Sequence, residues 1–102
     1  MIRYGAYVKF TTHPGQREKF VELMRESATQ VQDVAGCQLY IINLSADDPD
    51  VVRITEIWDS QAAHDASLQL ASVRAQIQRV IPLLAKPPES IILEPVGGLG
   101  LT

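Results

Sequence analysis

The eight residues Cys37–Leu44 read Cys-Gln-Leu-Tyr-Ile-Ile-Asn-Leu, and they constrain the fold more than any other stretch of the chain. The run is short and carries Ile and Tyr, so a strand is expected. In a strand, Leu39 and Ile41 point one way and Tyr40, Ile42 and Leu44 the other. A strand that is apolar on both sides is normally covered on both sides. The sheet that holds it therefore needs two layers of cover, and the rest of the chain has to be read for what supplies them.

Residues 2–10 alternate, with Ile2, Tyr4, Ala6, Val8 and Phe10 on one side and Arg3, Gly5, Tyr7 and Lys9 on the other. That is the period of a half-buried strand. Thr11-Thr12-His13-Pro14-Gly15 stops it and can open a helix, because proline is tolerated in a first helical turn. Phe20, Leu23, Met24, Ala28, Val31 and Val34 then recur on one helical face as far as Gly36, while Gln16, Glu18, Glu22, Arg25 and Glu26 face water. Ser45–Asp50 is turn chemistry, and Val51–Trp58 alternates again, which makes an antiparallel hairpin with Cys37–Leu44. Asp59 or Ser60 caps a second helical region. This region is expected in two pieces, about 60–69 and about 72–84, the latter burying Val73, Ile77, Val80, Ile81 and Leu84 and ended or bent by Pro82. After Lys86-Pro87-Pro88, residues 90–96 form a last strand. Residues 1–96 are read as one domain and 97–102 as a flexible tail.

The order β-α-β-β-α-β points to an α+β fold, a ferredoxin-like antiparallel sheet. The helices cover one face of that sheet. A second copy of the chain is the economical cover for the other, so a homodimer, sheet on sheet, is expected.

Several classes of function are excluded on composition and spacing. The net charge is −3 and the basic residues are scattered, against a nucleic-acid partner. No apolar run reaches the roughly 18 residues of a membrane span, so no membrane partner is expected. The first residues carry no signal-peptide core, and Cys37 is the single cysteine, so a cytoplasmic location is expected. His13 and His64 lie on separate elements without ligand spacing, and no metal site is expected. Gly97-Gly98-Leu99-Gly100 lacks the strand and helix of a phosphate loop, and Ser60 has no Gly-x-Ser-x-Gly setting. Flavin and nicotinamide fingerprints are also missing, so no cofactor is expected.

The strand followed by Thr12-His13-Pro14-Gly15 and an amphipathic helix resembles the antibiotic biosynthesis monooxygenase domains. So does Glu56-Ile57-Trp58-Asp59-Ser60-Gln61-Ala62-Ala63-His64, where the third strand runs into the second helix. The resemblance spans about residues 2–96. It implies a dimeric α/β barrel. Some members of that family are cofactor-independent oxygenases of quinols or anthrone-type polyketides, and others degrade haem. The aromatic that ends strand three in the family corresponds to Trp58. The slot in which many members place a histidine, nine residues further on, is Ser67, and His64 stands one helical turn earlier. Where the haem-degrading branch has an asparagine and a histidine, this chain has Val8 and Leu68, so haem degradation is not implied.

Oxygenation without a cofactor requires that the substrate itself supply the electrons. A deprotonated quinol or anthrone is electron-rich enough to do so. The protein then contributes a base, an apolar cavity for a flat ring and dipoles for the anion. Histidine is the side chain that exchanges a proton near neutral pH, which makes His64 the candidate base, with Trp58 beside it as a ring wall. Tyr4, Val8, Phe10, Glu56, Ser67, Val73 and Ile77 are the candidate substrate-binding residues. Each has a plainer reading. His64 also fits a helix surface, Trp58 and Tyr4 a core, and Glu56 a structural carboxylate paired with an arginine. His13 reads as an exposed turn residue and Cys37 as a small buried hydrophobe. Three functional readings stay open: a cofactor-free monooxygenase of a quinol, phenolic or anthrone-like aromatic; a non-catalytic barrel binding a small apolar ligand; and a structural module without a cavity.

Overall fold

The computed structural model describes residues 2–31 and 34–101. Its elements are strand β1 (Tyr4–Thr11), helix α1 (Arg17–Val31), strands β2 (Cys37–Leu44) and β3 (Val51–Trp58), helices α2 (Gln61–Ser67) and α3 (Ala71–Val80), a 3₁₀ turn at Ile81–Leu83 and strand β4 (Glu89–Leu93). The four strands form one antiparallel sheet in the order β2-β3-β1-β4, the ferredoxin-like arrangement. Within one chain the sheet is open and does not close into a barrel. No helix among the described residues is long and apolar enough to cross a membrane.

Residues in register share a face of the sheet, and the two faces differ sharply. The inner face carries the rows Leu44–Val52–Phe10, Ile42–Ile54–Val8 and Tyr40–Glu56–Ala6. The core forms where Val52 and Ile54 meet Phe20, Leu23 and Met24 of α1, with Val80 and Leu83 closing it. Phe10 and Phe20 pack ring on ring at 5.0 Å. On the outer face lie Leu39–Ile57–Gly5–Leu93 and Ile41–Thr55–Tyr7–Ile91. Ile41, Ile91 and Leu93 are 45%, 58% and 50% exposed there, so this apolar face has no cover from its own helices.

Polar side chains hold the helices at fixed heights. Arg17 Nη1 donates to the carbonyls of Ser45 (3.1 Å) and Asp48 (3.0 Å), pinning the β2–β3 loop to the start of α1. Gln76, buried on α3, donates through Nε2 to the Leu23 carbonyl and accepts from Arg79 Nη1, which also bonds Glu26 at 2.8 Å. This chain of bonds ties α3 to α1.

The elements stand close to expectation, with instructive differences. Ser60, not Asp59, caps α2, its Oγ accepting from the Ala63 N–H at 3.1 Å. Pro82 has no N–H to continue the helical ladder, and at this point α3 tightens into the 3₁₀ turn. The last strand ends at Leu93, short of Val96, because Pro95 cannot donate to a ladder. Ile77 and Ile81, expected in the buried stripe of this region, are 37% and 51% exposed. They face a cavity that opens to solvent, and Gln76 takes the buried position beside Val80. Residues 98–101 of the expected tail form a turn closed by the Leu101 N–H on the Gly98 carbonyl at 3.1 Å. Leu99 and Leu101 border a groove on the outer face with Leu39 and Ile57. Val31, placed by the periodicity on the inner helix face, has a side chain outside the described residues.

Candidate active site

Between the inner sheet face and the helices lies a cavity of about 480 Å³. That volume lies within the range of small-molecule sites. Glu56, paired in register with Ala6 of β1 and Tyr40 of β2, lies on the sheet face that floors the cavity. Val8 and Phe10 of β1 form part of the floor, and Val73, Ile77 and Val80 of α3 form the roof. Its polar lining comes from Glu56 and Trp58 of β3, Tyr40 of β2 and His64 and Ser67 of α2, with Ser27, Gln76 and Ser90 from other elements.

The cap at Ser60 sets the start of α2 and thereby where His64 falls. Its ring stacks on Tyr4, with centroids 4.7 Å apart and planes at 32°, and meets Trp58 edge-on at 5.7 Å and 81°. The imidazole is held between two aromatic rings, with its side chain 17% exposed. Nδ1 lies 3.1 Å from Asp65 Oδ1. A carboxylate only accepts, so this contact puts a hydrogen on Nδ1 and leaves Nε2 as the basic nitrogen of the neutral ring.

Trp58 is 1% exposed, and its Nε1 donates to Glu56 Oε1 at 3.1 Å. Thus the indole serves as core, cavity wall and anchor for a carboxylate. Among the described residues the partner of Glu56 is this indole and not an arginine. Burial pushes the Glu56 carboxyl upward, while the Trp58 bond and the nearby His64 pull it back down. Burial also raises the Tyr40 phenol, and Glu56 adds to the effect, so Tyr40 stays protonated and able to donate.

Of the residues named from the sequence, His64, Trp58, Glu56, Val8, Phe10, Ser67, Val73 and Ile77 all line the cavity. Tyr4 does not line it and sits instead against His64, where burial and the Asp65 and Glu56 carboxylates raise its phenol. Ser67 reaches the wall but spends its hydroxyl proton on the His64 carbonyl at 2.6 Å. His13 is exposed in a bend, and Cys37 is half-buried rather than buried. Tyr40 and Gln76 also belong to the site, although sequence reasoning omitted both. Tyr40 shares the parity of Ile42, and Gln76 falls one turn from Val73 and Val80, so the signal for each was the periodicity itself. Leu68 lines the cavity together with Val8, and neither carries a metal-binding atom. Among the described residues no group of three His, Cys, Asp or Glu is placed to hold a metal ion.

A comparison with curated proteins finds no match. Solved structures match well. A Chloroflexus aurantiacus J-10-fl protein, provisionally titled an antibiotic biosynthesis monooxygenase, is 38% identical over 98% of this chain and 99% of its own, with a TM-score of 0.88. Similarly titled proteins from Nitrosomonas europaea (22% identity, 92% and 90% covered, TM-score 0.88) and Caulobacter crescentus CB15 (20%, 94% and 92%, TM-score 0.89) share the fold. The family model for antibiotic biosynthesis monooxygenases matches residues 3–79, a stretch that holds β1 through most of α3 and with them Trp58, Glu56 and His64. The chain belongs to the antibiotic biosynthesis monooxygenase family.

Proposed function

We propose that this protein is a cofactor-independent monooxygenase that oxidises a quinol, phenolic or anthrone-like aromatic with O₂. One observation carries the reading: His64, its Nδ1 engaged by Asp65, stands beside Trp58 on the wall of a largely apolar cavity. His64 Nε2 takes the acidic proton of the bound aromatic. The resulting anion passes one electron to O₂, and the radical pair joins in a C–O bond to give a hydroperoxide. Loss of the second hydrogen from that carbon breaks the O–O bond. A ring methylene thus becomes a carbonyl, one oxygen atom stays on the product and the other leaves as water with both hydrogens. The indole and the apolar roof hold the flat ring and keep bulk water from the anion.

Oxygen uptake is the test, with metal-stripped protein, a panel of naphthoquinols and anthrones, and His64→Ala beside the wild type. Saturable uptake above the protein-free blank, falling about 10²-fold or more in the variant, is expected for loss of a general base. No uptake above blank across the panel would replace this reading with the ligand-binding barrel. The third reading, a module without a cavity, is disfavoured by the open space beside Trp58 and Ile77.

The same proposal includes a homodimer joined through the outer sheet face, on which Leu39, Ile41, Ile57, Ile91 and Leu93 lie in register. It also includes a cytoplasmic setting, in which the Cys37 thiol stays reduced.

A further inference from the structure

We propose that Glu56 is the specificity-determining residue of the cavity, and that it selects uncharged aromatics bearing a hydroxyl while rejecting carboxylated ones. The inference deepens the functional reading above and rests on its premise that the cavity holds the substrate.

Glu56 has one oxygen committed and one to spare. Oε1 accepts from Trp58 Nε1, which fixes the carboxylate on the inner face of β3. Oε2 has no hydrogen-bond partner among the described residues, and it is not sealed from open space, since no buried side-chain oxygen there goes unpaired. A carboxylate oxygen only accepts, so whatever meets Oε2 has to donate. Among the described residues no lysine or arginine lines the cavity. A carboxylate on a ligand would therefore face Glu56 with only the His64 imidazole to compensate it, and that ring already has Asp65 at 3.1 Å, so the desolvation cost stays large.

Tyr40 narrows the donor to a hydroxyl. It stands opposite Glu56 in the β2–β3 register and lines the same cavity. Its phenol remains protonated beside Glu56, so this end of the cavity offers an acceptor and a donor together. A ligand hydroxyl uses both, donating to Glu56 and accepting from Tyr40, whereas an ammonium has no lone pair for Tyr40. The hydroxyl held in this way is an anchor. The proton that His64 removes comes from a second acidic position, so the preferred substrate carries both groups.

Calorimetric titration with three probes of one ring size tests this directly: 1-naphthol, 1-methoxynaphthalene and 1-naphthoate. The wild type is expected to bind naphthol about tenfold or more tightly than the ether or the acid, the scale of one hydrogen bond to a charged acceptor. In Glu56→Gln the amide oxygen still accepts from Trp58, while its NH₂ replaces Oε2 and turns the acceptor into a donor. The variant is expected to bind naphthol and ether within about threefold of one another and to gain affinity for naphthoate. Equal binding of naphthol and ether by the wild type, or the wild-type order kept in the variant, overturns the inference. The wild-type series decides even where the variant fails to fold. Binding of none of the three probes overturns this inference together with the cavity-binding premise, whereas hydroxyl-selective binding without oxygen uptake removes the oxygenase reading alone.

Discussion

Glu56 joins local chemistry to the behaviour of the whole site. Its inward direction follows from sharing the parity of Trp58, but the bond between them does not, because contact between two side chains on one strand face depends on rotamers that periodicity does not encode. The same limit explains the arginine partner expected for it: a buried carboxylate calls for a donor, and the indole N–H two residues away supplies one. Burial raises the Glu56 carboxyl above its ordinary value of 4.5, so the folded protein binds that proton more tightly than the unfolded chain does. The stability contributed by the protonated form is present below that ordinary value and is lost as pH rises through the folded value. Glu56→Gln removes this titration. Thermal melts from about pH 4 to about pH 7 should therefore show the variant gaining on the wild type as pH rises. A difference that is flat, or that slopes the other way, would mean that burial does not oppose the Glu56 charge.

At the scale of elements, the strands, their hairpin and the division of the second helical region are legible because each rests on periodicity or a capping oxygen. What the alternation does not contain is how closely elements approach. Gly36 shows the difference. From the sequence it reads as a helix stop, whereas α1 is Arg17–Val31 and Gly36 lies in the turn before β2, with φ +92°, the left-handed conformation that favours glycine. Its second role is steric: a Cβ added there would lie 2.7 Å from Ala63 Cβ, on the helix that carries His64. The Asp59 N–H also donates to the Gly36 carbonyl at 2.8 Å, so the turn before β2 seats the start of α2. Gly15 supplies the control, with φ +80° and open space around the position of its missing Cβ. Gly15→Ala should cost the backbone term alone, about 1 kcal/mol, and Gly36→Ala about 2–3 kcal/mol from backbone plus overlap. Adding Ala63→Gly to Gly36→Ala should recover the steric part, giving a coupling of about 1 kcal/mol in a denaturation cycle. Equal losses for the two glycines, with no coupling to Ala63, would show that the close approach does not hold α2.

For the whole molecule, the strand that is apolar on both sides decides what has to cover the sheet. One side of β2, with Tyr40 and Ile42, packs toward the core, and the other, with Leu39 and Ile41, belongs to an outer face that continues through Ile57 and Tyr7 to Ile91 and Leu93. The tail residues Leu99 and Leu101 border only the Leu39–Ile57 end of this face. All five residues of β4 are exposed, so the face ends in an uncovered edge strand. A stable protein interface removes about 800 Å² from each partner, and a four-stranded sheet face is of that order. The proposed homodimer therefore predicts twice the chain mass by light scattering at micromolar concentration. Ile41→Lys with Ile91→Lys puts two ammonium groups at the two ends of one row of the face. In a monomer they would remain in water at little cost, whereas in a dimer they would be buried without partners. The double variant should accordingly run as a folded monomer with an unchanged circular dichroism spectrum. Because the cavity lies on the opposite side of the sheet and neither isoleucine lines it, that monomer should still bind 1-naphthol as the wild type does. A wild-type monomer, or a double variant that stays dimeric, would assign the cover of this face to something other than a second copy. Loss of naphthol binding on dissociation would instead show that the site needs the partner chain.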